Sequence, residues 1–130
     1  MDNRRAVLYC RVAHADDFAM EAQTEAVIRF ANAEGYTVSD YYCDNGESGV
    51  TLDRPEMNRL LSDIRAGNVK TVIAKDMARI ARDYMLSKQF LNEAQKYGVS
   101  VITVIDDISA ISMYESLAGS LFKSKTPILT

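Results

Sequence analysis

Four arginines, Arg11, Arg54, Arg79 and Arg82, stand where strand-like runs of the sequence hand over to loops. Arginine keeps its charge and offers a planar fork of donors that matches a phosphate. In CRVAHADD, Cys10 to Asp17, Arg11 marks the exit of the apolar run AVLYC. A second loop brings Asp44, Glu47, Ser48 and Arg54, and a third brings Lys75, Asp76, Arg79 and Arg82. A spacing of three places Arg79 and Arg82 on one face of a helical turn. Together the four cations form a candidate phosphate clamp. Such a clamp can stabilise phosphoryl transfer without metal, because that chemistry needs mostly positioning and charge neutralisation. The same pattern also fits a solvated surface, with the arginines paired to Asp16, Asp44, Asp53, Asp76 and Asp83.

Other chemistries find less support. There is no GxGxxG and no Walker loop. A receiver-type phosphoacceptor site fits Asp44 and Lys75, but it wants acidic residues directly after the first strand, where Arg11 stands. The single histidine, His14, cannot complete a usual zinc site, and no metal is expected. It reads as an exposed loop residue rather than as a triad base. Cys10 and Cys43 lie in separate apolar runs, outside any CxxC pair, and read as buried reduced thiols.

The elements that must position these residues alternate. Arg5–Val12 reads as a buried strand and Phe18–Glu34 as an amphipathic helix with Phe18, Ala22, Val27, Phe30 and Ala31 inward. Thr37–Cys43 is a second strand. Pro55 opens a helix to about Ala66, with Asp53 as its cap and Met57, Leu60, Leu61 and Ile64 inward. Val69–Lys75 is a third strand, Asp83–Tyr97 a helix, and VSVITVI a fourth strand. A helical stretch is expected near Met113–Phe122. This order implies βαβ units, hence a three-layer α/β fold with a largely parallel sheet of four to five strands and helices on both faces. Ligands of such sheets bind outside the carboxyl ends of the strands.

A chain of 130 residues is one domain by size. No apolar run reaches the ~18 residues of a membrane span, and MDNRRAVLYC lacks the apolar region of a signal peptide. A cytoplasmic protein without membrane contact is expected. The net charge of −3 excludes a broadly basic surface, so any nucleic-acid contact must be local or supplied by another part.

Three segments carry a resemblance. YCRVAHADD followed by EAQ, then YYCDNGESGVTLDRPEMNRLLSDIRAGNVKTVIAKDMARIARDY, then LNEAQKYGVSVITV resemble the catalytic domain of the serine site-specific recombinases, the resolvases, invertases and large transposon integrases. The likeness runs over about Val7–Ile105 and is nearest to the large transposon-type members. It implies DNA cleavage and rejoining through a phosphoserine intermediate, without cofactor, in an oligomer. It also implies that Arg11, Gln23, Ser48, Arg54, Arg79 and Arg82 surround the scissile phosphate, with Arg11, Arg79 and Arg82 nearest the reaction. The attacking serine of that family follows the RV of YCRV, and here Ala13 stands there. Ala78 replaces a usual aspartate or serine, and Ala81 a common glycine or serine. ISAISMYESLAGSLFKSKTPILT is unlike the family's long basic helix, and no DNA-reading motif follows it.

The expectation is therefore a resolvase-like catalytic domain over 1–110 and a short tail over 111–130, unable to cleave DNA. DNA is the implied partner. The alternative is a non-enzymatic module that forms homo-oligomers, or hetero-oligomers with related recombinases, through the tail residues Ile111, Met113, Leu117, Leu121 and Phe122. A third reading is an anion site for a metabolite on a shared fold.

Overall fold

The computed structural model describes residues 4–105 and the backbone of 122–124. Five strands form one parallel sheet: β1 (Arg5–Val12), β2 (Thr37–Asn45), β3 (Thr71–Ala74), β4 (Ser100–Thr103) and β5 (Phe122–Ser124). The sheet order is β2-β1-β3-β4-β5. Among the described residues four helices connect the strands: α1 (Asp17–Ala33), α2 (Pro55–Arg65), the short α3 (Met77–Ile80) and α4 (Tyr84–Lys96). No described helix is long and apolar enough to cross a membrane.

The central strand β1 is buried from Ala6 to Val12, as a parallel strand covered on both faces must be. Its alternating side chains feed two cores. Leu8 and Cys10 face α1 with Val27, Phe30 and Ile73. Val7 and Tyr9 face α2 and α4 with Met57, Leu60, Ile64, Phe90 and Leu91.

Carboxylates start each helix. Asp16 accepts from the Ala19 N–H at 3.0 Å, Asp76 from Arg79 N–H at 3.2 Å, and Asp83 from Leu86 N–H at 2.8 Å. At α2 the cap comes from a distant element. The N-cap residue Arg54 makes no side-chain cap bond. Asp44, at the end of β2, accepts from Glu56 N–H at 2.9 Å and Met57 N–H at 3.0 Å. Asp53, the expected cap, instead accepts from the Asn58 side chain at 2.9 Å on the surface.

Two further expectations are corrected. Phe18 is 82% exposed, and Ala22 is exposed too. The buried stripe of α1 is Met20, Gln23, Val27, Phe30 and Ala31. Phe18 lies two residues before Met20, about 200° around a helix of 3.6 residues per turn, so both cannot face the sheet. Inclusion of Gln23 turns the stripe away from Phe18 and Ala22. Strands β3 and β4 are also shorter than their apolar runs, although Val69 and Val99 remain buried beyond them. The helix expected near Met113–Phe122 falls on 113–121, outside the described residues, and on Phe122, which begins β5.

Loss of the distant cap should cost more than loss of the adjacent acid. Asp44→Ala removes two helix-start bonds and leaves the buried Tyr9 hydroxyl unpaired, a loss of about 2–4 kcal/mol. Asp53→Ala should cost less than about 1 kcal/mol. Urea unfolding of the two variants measures the difference.

Candidate functional site

Arg11 is the last residue but one of β1 and is only 3% exposed. Gln23 of α1 clasps its backbone on both sides. The Arg11 N–H donates to Gln23 Oε1 at 3.0 Å, and Gln23 Nε2 donates to the Arg11 carbonyl at 3.0 Å. The guanidinium then spans two loops. Its Nε donates to the Arg79 carbonyl at 2.9 Å, Nη1 to the Glu47 carbonyl at 2.9 Å, and Nη2 to the Ala78 carbonyl at 2.7 Å.

Arg54 lies deeper, at 1% exposed. Its Nη1 donates to the Ser48 carbonyl at 3.4 Å and its Nη2 to the Ile80 carbonyl, while Nε has no partner. The guanidinium stands 5.4 Å from the Tyr9 ring centroid. The Tyr9 hydroxyl donates to Asp44 Oδ2 at 2.7 Å. Burial pushes the Tyr9 pKa far up against the pull of Arg54, so Tyr9 stays a neutral donor.

Several cations gather here, with Asp44 and Glu47 near Arg54 and Asp76 beside Arg79. Burial lowers the Arg11 pKa, and the neighbouring cations Arg54, Arg79 and Arg82 lower it further. Burial lowers that of Arg54 as well. Arg79 sits at the rim with its side chain 30% exposed and its Nε 3.7 Å from Asp76 Oδ1. Its Nη1 reaches the Arg11 carbonyl at 3.5 Å. Arg82 is exposed, and its backbone N–H donates to the Gly49 carbonyl at 2.9 Å.

Gly49 makes this convergence possible. A Cβ there would lie 2.4 Å from Arg82 Cγ and 2.6 Å from Arg11 Nη2. Gly46 adopts φ +89°, and its N–H, with that of Glu47, donates to the Val12 carbonyl. The loop after β2 is thereby pinned against the exit of β1.

The structure thus gathers Arg11, Gln23, Arg54, Arg79 and Arg82 at the carboxyl edge of the sheet. Ser48 joins through its carbonyl, while its exposed hydroxyl accepts from Val50 N–H at 3.2 Å. Ala13 directly follows β1 and is exposed, as is His14. A cleft of about 270 Å³ opens beside them, lined by Val12, Ala19, Ala22, Gln23, Lys75 and Arg79. Arg79 and Arg82 do not share a helical face, because α3 ends at Ile80 and Ala81 is extended (φ −158°, ψ 147°). Pairing of the arginines with surface aspartates is confined, among the described residues, to Arg79 and Asp76. Asp16 and Asp83 cap helices instead, and Asp76 caps α3 while it pairs with Arg79. Sequence reading missed Tyr9, hidden in an apolar run, and Gly49, whose signal was the SG step inside a turn-rich loop.

An α/β sheet carrying buried and rim arginines at its carboxyl edge defines the class. The chain belongs to the resolvase N-terminal domain family, described as "Resolvase, N terminal domain", which matches residues 6–122. A resolvase of Escherichia coli is 36% identical over 77 residues, covering 59% of this chain and 33% of that protein. A Bacillus subtilis (strain 168) relative is 33% identical over 86 residues, covering 66% of this chain and 17% of its own length. The chain therefore spans a third or less of these curated relatives. Among solved structures, the N-terminal catalytic domain of TP901-1 integrase aligns with a TM-score of 0.72 at 29% identity, covering 76% of each chain. A resolvase family site-specific recombinase from Streptococcus pneumoniae aligns with a TM-score of 0.70 at 30% identity, covering 88% of this chain and 85% of that one.

Three substitutions test the packing. Gly49→Ala should displace the Arg11 and Arg82 side chains and cost about 1–3 kcal/mol by overpacking. The Nε resonances of both arginines report the movement. Arg11→Lys removes the fork that spans three carbonyls and should destabilise by about 2–4 kcal/mol. Arg82→Lys, at an exposed position, should stay within about 0.5 kcal/mol. Thermal unfolding compares the pair.

Proposed function

We propose that this chain is the catalytic-type domain of a serine recombinase that binds a DNA phosphodiester but cannot cleave it. The observation that carries this reading is the set of converging guanidinium groups whose charges oppose one another at the sheet edge. A phosphate anion is the ligand that relieves that repulsion.

The arginines divide by task. Arg11 and the two terminal nitrogens of Arg54 donate to carbonyls and hold the loops in place. Arg79 and Arg82 have donor capacity to spare at the rim and would contact the phosphate. Gln23 fixes the backbone at the strand exit, and Ser48 supports the loop. In the reaction of this family a serine hydroxyl loses its proton, its oxygen bonds to phosphorus, and a DNA oxygen leaves. Ala13 has no hydroxyl, so no such bond forms. Ala78 meets Arg11 through its carbonyl, a contact any side chain at that position allows.

A second reading has its own observation. Phe18 and Met85, in the first turns of α1 and α4, and Val50, in the loop after β2, are 82%, 65% and 68% exposed. Apolar groups so placed suit contact with another protein. Under this reading the chain forms homo-oligomers or joins related recombinases. Mixed sedimentation with such a recombinase tests it, and two unchanged boundaries would remove it.

Titration with inorganic phosphate and then a short DNA duplex should shift the Arg79 and Arg82 side-chain resonances most. The apparent affinity for DNA should fall with salt, with a logarithmic slope of roughly −0.9 per phosphate neutralised. Absence of any arginine response would sink the phosphate reading. The unmodified chain should yield no covalent adduct on nicked duplex DNA. Ala13→Ser should yield a phosphoserine adduct, and an adduct from the unmodified chain would overturn the inactivity.

A further inference from the structure

Cys10 and Cys43 are the chain's two cysteines, and both are free. They are 33 residues apart in sequence yet direct register partners across β1 and β2. Adjacent strands lie about 4.8 Å apart, inside the roughly 4.4–6.8 Å Cα separation of disulfides. Partners in a parallel ladder project to the same side. Both thiols accordingly belong to the cluster beneath α1, with Val12, Met20 and Val27 around them. Their exposure differs. Cys10 is fully buried, whereas Cys43 is half-buried on edge strand β2.

We propose that Cys10 and Cys43 are a reversible redox pair that closes to an intrachain cross-strand disulfide in response to hydrogen peroxide. Cys43 is the attacking group. Its thiolate takes one peroxide oxygen, forming the sulfenic acid and releasing hydroxide. The Cys10 sulfur then attacks the Cys43 sulfur, the S–O bond breaks and water leaves. The net change converts two thiols and one peroxide into one disulfide and two waters.

The electrostatics support this order. The hydrogen bond between the two thiols lowers the Cys43 pKa to about 7. The same bond, together with burial, pushes Cys10 far up. One proton thus stays on the enclosed sulfur, and the charge resides on the sulfur nearer solvent. The next register pair along the strands is Arg11 and Asp44, so closure would tie β1 to β2 one step below the site.

Peroxide treatment of the whole reduced chain tests the pair by intact mass, thiol count and peptide mapping. Expected are loss of two hydrogens, disappearance of both thiols, a Cys10–Cys43 linked peptide in a monomer, and full recovery with dithiothreitol. Survival of both thiols, an oxygen-bearing Cys43 beside a free Cys10, or a disulfide joining two chains would each overturn the proposal. In Cys10→Ala, Cys43 should stop at the sulfenic acid and be captured by dimedone. In Cys43→Ser, peroxide oxidation of Cys10 should slow by at least about tenfold, and an unchanged rate would remove Cys43 from its role. Should either variant fail to fold, the intact chain's linked peptide decides the question.

Discussion

The buried guanidinium of Arg11 is the constraint on which the rim depends. Two segments, the loop 46–54 and the stretch 75–83 that carries α3, meet beside it with backbone carbonyls that need donors. One planar cation satisfies three of them at once. Enclosing a charge costs several kcal/mol unless its donors are used, and charge-assisted bonds return about 1.5–3 kcal/mol each. Gln23 adds the second half of the lock by fixing the backbone that carries this side chain. The loop positions therefore follow from one residue placed by the central strand, and Gly49 leaves the space that residue needs.

A second chain of contacts runs beneath the first. Arg54 faces the Tyr9 ring, Tyr9 donates to Asp44, and Asp44 starts α2. One carboxylate thus serves a helix terminus, a buried hydroxyl and the field of a buried cation. Since a helix N-terminus also carries partial positive charge, Asp44 is heavily committed. Asp44 forms no ion pair with Arg11, Arg79 or Arg82 among the described residues. A chain with net charge −3 can in this way hold a locally positive rim.

Much of the fold was legible in the sequence for a physical reason. Parallel strands buried on both faces read as continuous apolar runs, and AVLYC and TVIA are such runs. The arginines were legible too, because strand exits gather at one edge whatever the details of packing. What was not legible depended on contacts distant in sequence. Asp53 precedes α2, yet Asp44 caps it from another strand. Phe18 continues an apolar pattern, yet the polar Gln23 takes the inward position because it serves Arg11. The break at Ala81 separates Arg79 from Arg82, which spacing alone had placed on one turn.

The arginines of this edge answer to different constraints. Arg11 and Arg54 are enclosed and bonded to carbonyls, so folding alone requires them. Their carbonyl contacts would hold the loops in an inert protein as well. Ala13 is exposed, and exchange of a side chain there changes stability by no more than about 0.5 kcal/mol. A nucleophile can thus be lost without disturbing the fold around it. Arg79 and Arg82 stand between these cases: Arg79 is half-buried against Asp76 and the Arg11 carbonyl, and Arg82 is exposed. In the proposed function a DNA phosphate supplies the counter-charge for the donors these two side chains leave unused.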